Sequence, residues 1–211
     1  AELLAASGEA LERYGSPGKV WVLKLILTRG AGGRGYRPGA GMEPNLLVSC
    51  SDAPPMPDSA GVVAEFSSVL LTVNPLLAGI KSLNRLEQVM AARELSGDCF
   101  EVLMADAAGH IVEGTRTNLF VLTDESWITP PENSVAVAGV MRQLVIERLQ
   151  QAGEPFREAP ITREQLQPEV CRGLYLTNSV LGVVRVRNLA GQDLPAERCL
   201  ATICHLSTTL E

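Results

Sequence analysis

Residues 111–122 read IVEGTRTNLFVL, and their pattern restricts the possible folds more than any other stretch of the chain. Apolar residues occupy both ends, whereas the middle contains a glycine, two threonines, an arginine and an asparagine. Short apolar runs separated by glycine and small polar residues are typical of two strands joined by a turn. The stretch therefore predicts such a pair of strands, and it places the carboxylate of Glu113 where the first strand ends.

Strand and helix patterns alternate on both sides of this stretch. Apolar, β-branched runs predict strands at 62–73, 101–106, 111–112, 119–122, 127–129, 173–176 and 183–186. Apolar residues at helical spacing predict helices at 82–95, 140–151, 161–166 and 196–206. This alternation predicts a mixed α/β or α+β fold.

A domain boundary is predicted at SDAPPMPDSAG, residues 51–61, because proline, aspartate and serine are enriched there. Residues 1–55 contain a predicted helix at 2–14 and predicted strands at 19–28 and 45–51. We expect 1–55 to form a small N-terminal part, 56–61 a linker and 62–211 a larger domain.

The composition narrows the class of function. The 211 residues carry a formal net charge of −6, which argues against binding to nucleic acid through phosphate neutralisation. The most apolar window, 62–78, contains Glu65, Asn74 and Pro75, so no membrane helix is expected. Five irregularly spaced cysteines predict neither a disulfide framework nor a metal site, even where Cys199 and Cys204 precede His205. A reducing cytoplasm is the expected setting.

A glycine-rich loop, RGAGGRGYRPGAG, spans residues 29–41. Its G-x-G-x-x-G spacing matches a dinucleotide-binding loop, which requires a helix to begin at the third glycine. Gly35 is instead followed by Tyr36-Arg37-Pro38-Gly39, which cannot continue as a helix. We therefore predict a hairpin loop, and its arginines either bind carboxylates or belong to a solvated turn.

Three further motifs each resemble ordinary surface structure when taken alone. Lys81 precedes a predicted helix whose start Asn84 and Glu87 are expected to cap, and this places its amine near the positive end of a helix dipole. Residues 138–142, AGVMR, open a helix whose free N–H groups suit an anion. Residues 177–179, TNS, offer hydroxyl and amide groups between two strands. Together with Glu113, these are the parts of a pyridoxal phosphate site.

The order K-S-L-N-R-L-E-Q-V, E-G-T-R-T-N-L-F, T-P-P, G-V-M-R and T-N-S resembles the fold-type IV, or class IV aminotransferase, family of pyridoxal phosphate enzymes. The resemblance implies a larger C-terminal domain preceded by the remnant of a small N-terminal domain, whose first part is expected to be missing here. It also implies pyridoxal 5′-phosphate as cofactor, a small-molecule substrate and a homodimer, with no nucleic acid or membrane partner.

The resemblance also implies residue roles. Lys81 matches the lysine that carries the cofactor and moves protons, and Glu113 matches the carboxylate that pairs with the pyridine nitrogen. Asn118 is expected to support the turn after Glu113. Further cofactor contacts are expected from Arg85, Gly139, Val140, Met141, Asn178 and Ser179. Arg29 and Arg34 are expected to bind substrate carboxylates.

Within the family, G-I-K-S-L-N-R-L-E-Q-V and T-R-G-A-G-G-R-G-Y are most similar to the aminodeoxychorismate lyases. That similarity implies conversion of 4-amino-4-deoxychorismate to 4-aminobenzoate and pyruvate, a step of folate biosynthesis. Two alternatives stay open: an aminotransferase of the branched-chain or D-amino acid type on the same fold, and a non-catalytic remnant.

Overall fold

The structure, a computed structural model, describes residues 2–15, 20–72, 74–134 and 136–204. The chain divides into two compact units, which meet between Pro55 and Met56. Within the described ranges, no helix has the length and apolar character needed to cross a bilayer.

The first unit contains α1 (Glu2–Tyr14) and a hairpin of β1 (Trp21–Thr28) and β2 (Asn45–Asp52). The two strands pair antiparallel along their whole length. No helix follows Gly35 in the connecting loop, so the predicted arginine-bearing hairpin is confirmed. Gly30 begins this loop in the left-handed region, at φ 95°, where a Cβ would lie 1.8 Å from the carbonyl oxygen of Glu43.

The described residues of the second unit form a nine-stranded sheet. Its strands are β3 (Val62–Phe66), β4 (Cys99–Ala105), β5 (Ile111–Gly114), β6 (Asn118–Leu122), β7 (Trp127–Thr129), β8 (Phe156–Glu158), β9 (Gly173–Asn178), β10 (Gly182–Leu189) and β11 (Gln192–Asp193). The order is β5-β4-β3-β10-β9-β6-β7-β8, and β11 pairs with β10. β3 is parallel to β4 and β10, and β7 is parallel to β8, whereas the other pairs are antiparallel.

The sheet curls until its two ends meet. Ile111 belongs to β5 at one end, Ile161 follows β8 at the other, and the N–H of Ile111 donates a 2.7 Å hydrogen bond to the Ile161 carbonyl. The enclosed core includes Leu119, Leu174 and Val186, which are fully buried. The mixed α/β fold with a curled sheet confirms the predicted fold class. This curl brings β5 and β6 next to each other across the turn between them.

Among the described residues of the second unit, three α-helices accompany the sheet: α2 (Leu86–Ala92), α3 (Val140–Gln151) and α4 (Leu200–Ile203). α3 buries Val145 and Leu149 in a second core cluster that also contains Trp127 and Tyr175. Fully burying a side chain of leucine size contributes about 1.5–3 kcal/mol, so this packing fixes α3 on the sheet. The predicted bounds 140–151 are confirmed, and the first turn of α3 is consequently held at a defined place.

Two predicted elements are shorter in the structure. β3 ends at Phe66, because the Ser67 hydroxyl accepts a hydrogen bond from the Val69 N–H and forms a local turn that competes with strand pairing. Val73, the last residue of that predicted strand, lies outside the described residues. α2 begins at Leu86, so the predicted start beside Lys81, with Asn84 as cap, is wrong.

The other differences concern short elements. The helix predicted at 161–166 is a 3₁₀ helix at Glu164–Leu166, and a second 3₁₀ helix spans Glu132–Ser134. The helix predicted at 196–206 is the single turn α4 as far as the description extends, since residues 205 and 206 lie outside it. β8 and β11 were not predicted, because strands of two or three residues carry no measurable alternation pattern.

Candidate active site

A cavity of about 300 Å³ opens in the second unit, beside the turn between β5 and β6. Its wall includes every residue that the sequence analysis placed at the cofactor: Lys81, Arg85, Glu113, Asn118, Gly139, Val140, Met141, Asn178 and Ser179. The rest of the wall comes from Gln88, Gly114, Thr115, Arg116, Thr117, Val137, Ala138 and Thr177. Four distant sequence motifs therefore meet around one space.

A carboxylate that the sequence analysis missed organises the turn. Glu101 of β4 is fully buried, and its oxygens accept hydrogen bonds from the Thr115 N–H at 3.0 Å, the Thr115 hydroxyl at 2.7 Å and the Thr117 hydroxyl at 3.0 Å. The backbone N–H groups of Arg116 and Val102 add bonds of 3.3 and 3.1 Å. Burying a carboxylate costs free energy unless such donors surround it, so Glu101 depends on the donors of this turn. The same hydrogen bonds hold the turn in its conformation.

Glu113 lies at the cavity wall with only 3% of its surface exposed. Burial raises the pKa of its carboxyl from 4.5 to about 7, although the hydrogen bond from the Val137 N–H and the charge of Arg85 oppose the shift. The Val137 N–H donates to Oε2 of Glu113 at 3.1 Å. A buried carboxyl of this kind accepts a positively charged partner readily, because a nearby cation stabilises its ionised form.

Asn118 supports a different segment from the one expected. Its side-chain NH₂ donates to the Val137 carbonyl at 2.8 Å, and it is Glu101 that holds the turn. Residue 137 is therefore fixed from both sides, by Asn118 at its carbonyl and by Glu113 at its N–H. A Cβ added to Gly139 would lie 2.2 Å from Oδ1 of Asn118, so a larger residue there would displace the Asn118 side chain.

The first turn of α3 forms part of the cavity wall. Gly139 is the N-cap residue and makes no side-chain capping bond, so the N–H groups of the first turn are available at the cavity. Arg142, only 2% exposed, donates to the Pro130 carbonyl at 2.7 Å and to Glu158 at 2.6 Å, which ties this turn to the sheet.

Ser179 reaches the same wall from the turn between β9 and β10. Asn178 shapes that turn, because its Oδ1 accepts hydrogen bonds from the N–H groups of Val180 and Leu181 at 2.9 and 2.8 Å. The side chain of Asn178 is thus hydrogen-bonded to the backbone of the turn that carries the Ser179 hydroxyl. The position of this hydroxyl beside the start of α3 suits a shared oxyanion ligand.

The loop that carries Lys81 is attached to the same framework. The Ala138 N–H donates to the Gly79 carbonyl at 3.0 Å, and Gly79 has a φ of 79° that favours glycine. The guanidinium of Arg85 donates to the carbonyls of Ile80 and Ser82 at 2.9 and 3.2 Å. Arg85 therefore shapes the backbone on both sides of Lys81.

Arg29 and Arg34 belong to the loop between β1 and β2 in the first unit. Their expected role at substrate carboxylates stays a prediction.

The sequence profile of the amino-transferase class IV family matches residues 2–189. This chain belongs to that family. Among class IV relatives, the chain is 34% identical over 175 residues to aminodeoxychorismate lyase of Vibrio harveyi, covering 81% of this chain and 64% of that protein. It is 27% identical over 176 residues to D-alanine aminotransferase of Bacillus licheniformis, covering 82% and 60%. The chain thus spans less than two thirds of the length of these relatives.

The same similarity holds in three dimensions. The structure of 4-amino-4-deoxychorismate lyase from Pseudomonas aeruginosa superimposes with a TM-score of 0.85 at 34% sequence identity. The alignment covers 96% of this chain and 76% of that one. The curled sheet is therefore the class IV fold.

The raised pKa of Glu113 predicts how stability depends on pH. Between pH 4.5 and about 7 the folded chain keeps a proton on Glu113 that the unfolded chain has lost. The free energy of unfolding, compared with that of Glu113→Gln, should therefore fall as the pH rises through this window, by about 3 kcal/mol in total. Urea unfolding of the cofactor-free chain at several pH values measures the difference.

The matched control is Glu125→Gln, at an exposed carboxylate. The difference in free energy of unfolding between Glu125→Gln and the parent chain should be nearly constant over the same pH window. A constant difference for Glu113→Gln would contradict the assignment of a raised pKa to this carboxyl.

Proposed function

We propose that the cavity holds pyridoxal 5′-phosphate and that the protein converts 4-amino-4-deoxychorismate to 4-aminobenzoate and pyruvate. The observation that carries the proposal is the meeting of Lys81, the buried Glu113 and the start of α3 around one cavity. Enzymes of the class IV family depend on pyridoxal phosphate, and the cavity wall offers each kind of group that this cofactor requires.

The fit can be stated group by group. The free N–H groups of Val140 and Met141, with the hydroxyl of Ser179, would hold the phosphate at the positive end of α3. The amine of Lys81 would attach to the cofactor. When bound, pyridoxal phosphate withdraws electrons from the amine-bearing carbon of a substrate.

Glu113 would keep a proton on the pyridine nitrogen. A protonated ring nitrogen would give the buried carboxyl a positive neighbour in addition to Arg85, and pairing with it would lower the pKa of Glu113 from about 7. Val137 orients the carboxylate through its N–H, which donates to Oε2. This residue therefore maintains the electron-withdrawing form of the cofactor.

Lys81 would move the protons of the reaction. Once the substrate amine has displaced Lys81 from the cofactor, the freed Lys81 amine would take the proton from the amine-bearing carbon. The carbon–oxygen bond to the enolpyruvyl group would then break, and the six-membered ring would become aromatic. Protonation of the departing enolpyruvate by Lys81 completes pyruvate, so atoms balance without any added oxidant or reductant. General acid–base catalysis of this kind contributes about 10²–10⁴-fold.

Similarity to a lyase supports the proposed reaction, and similarity to aminotransferases provides the alternative. The lyase of Vibrio harveyi is 34% identical to this chain and D-alanine aminotransferase of Bacillus licheniformis is 27% identical, over nearly equal lengths. The second similarity makes an aminotransferase the alternative candidate. An aminotransferase requires a keto acid to accept the amino group, whereas a lyase releases pyruvate without one.

The proposal predicts pyruvate release from 4-amino-4-deoxychorismate in the absence of any keto acid. Lys81→Ala should lower the rate by at least about a hundredfold, because it removes the proton-transferring amine. Lys24→Ala, at an exposed lysine of β1, is the control and should retain the parent rate. A lactate dehydrogenase-coupled assay measures the pyruvate.

Turnover that requires a keto acid would instead identify an aminotransferase. A Lys81→Ala variant as active as the parent would contradict the role of Lys81, and a parent chain that binds no cofactor would indicate the non-catalytic alternative.

We also propose that the chain forms a homodimer through the segment 70–90. Eight large apolar side chains there are each more than half exposed: Leu70, Leu76, Leu77, Ile80, Leu83, Leu86, Val89 and Met90. Apolar side chains concentrated in this way mark protein interfaces. The segment also contains Lys81 and Arg85, so an interface here would border the cavity.

Light scattering coupled to gel filtration tests the dimer. The proposal predicts twice the 22.6 kDa chain mass, and Leu83→Glu should shift the population towards monomer because it places a charge among apolar side chains. Glu125→Gln serves as the control. A monomeric parent chain at micromolar concentration would contradict this proposal.

A further inference from the structure

Arg116 lies at the wall of the cavity, and its backbone is fixed on both sides. Its N–H donates to Oε2 of Glu101 at 3.3 Å, and its carbonyl accepts a 3.5 Å hydrogen bond from the side chain of Asn178. The hydroxyls of the two flanking threonines also bind the Glu101 carboxylate. Arg116 therefore projects from a turn that the fold holds rigidly.

The guanidinium of Arg116 is held as well. Its Cζ lies 4.7 Å from the centre of the Phe100 ring, and Nη2 donates to the Phe100 carbonyl at 2.9 Å. These contacts use one of the five N–H donors of the group and one of its faces. No salt bridge engages it among the residues that the structure describes. A preorganised arginine with free donors is suited to a planar carboxylate.

The charges at the cavity indicate an anionic ligand. The cavity wall includes Lys81, Arg85 and Arg116 but a single carboxyl, Glu113, whose burial favours its neutral form. In the proposed function, Lys81 carries the cofactor and Arg85 shapes the loop around it. Of the three cationic side chains at this cavity, Arg116 is thus the one that has no role in binding the cofactor.

We infer that Arg116 binds a carboxylate of the substrate and thereby selects for amines that carry one. The inference rests on the proposed function, because it presupposes that the cofactor occupies the cavity. Glu101 and Phe100 act as positioning residues for Arg116, the first through the backbone and the second through the guanidinium.

The test measures binding of a charged probe and its neutral counterpart. The chain is incubated with pyridoxal phosphate and treated with borohydride, which fixes the cofactor and prevents turnover. Calorimetry then gives the Kd of 4-aminobenzoate and of 4-aminobenzamide. For Arg116→Gln we expect the Kd of 4-aminobenzoate to rise about tenfold, or about 1.4 kcal/mol, with the Kd of 4-aminobenzamide unchanged.

Two further variants make the comparison specific. Arg116→Lys keeps the charge but loses the planar fork, so we expect a smaller increase in the Kd of 4-aminobenzoate. Arg163→Gln is the matched control, because Arg163 also stacks on a phenylalanine, with its Cζ 4.3 Å from the centre of the Phe66 ring, and is absent from the cavity wall. It should leave both Kd values unchanged.

The outcomes separate this inference from the proposed function. A parent chain that fixes no cofactor contradicts the proposed function itself. A parent chain that fixes the cofactor but binds 4-aminobenzoate no better than Arg116→Gln does overturns the inference alone. Loss of cofactor fixation in Arg116→Gln also overturns it, since Arg116 would then contact the cofactor and not the substrate.

Discussion

The buried carboxylate of Glu101 is the constraint on which the rest of the site depends. It is buried in β4 and makes no salt bridge with the residues that the structure describes, and its oxygens accept hydrogen bonds from residues 102 and 115–117. Hydrogen bonds to charged groups contribute about 1.5–3 kcal/mol each, and leaving such a group unpaired costs more. The turn between β5 and β6 can therefore adopt few other shapes without exposing or neutralising Glu101.

A short series of hydrogen bonds to the backbone connects this turn to the other parts of the site. The turn fixes the positions of Glu113 and Asn118 on either side of it. The Glu113 carboxyl accepts a hydrogen bond from the Val137 N–H, and the Asn118 side chain donates one to the Val137 carbonyl. The next residue, Ala138, binds the carbonyl of Gly79, two residues before Lys81. α3 begins two residues after Ala138, at Val140. The amine, the buried carboxyl and the anion-binding helix start thus share one hydrogen-bonded framework.

The sequence was sufficient for the elements with long, regular patterns, and nine residues that it singled out line one cavity. α3 is predicted to the residue, and the glycine-rich loop is correctly predicted to continue without a helix after Gly35. The start of α2 was mispredicted, since Asn84 matches a capping pattern although Arg85 binds the preceding carbonyls and holds a non-helical loop. Glu101 was missed because all of its donors except Val102 lie fourteen or more residues away, although a lone charge within the apolar run CFEVLMA signals such partners.

One measurement tests the central claim that this framework forms a pyridoxal phosphate site. The purified chain is mixed with pyridoxal phosphate, its visible absorbance is recorded before and after borohydride, and the labelled peptide is mapped. The account predicts a visible band that reduction abolishes and a single label on Lys81. A label spread over several lysines, or no band at all, would contradict it.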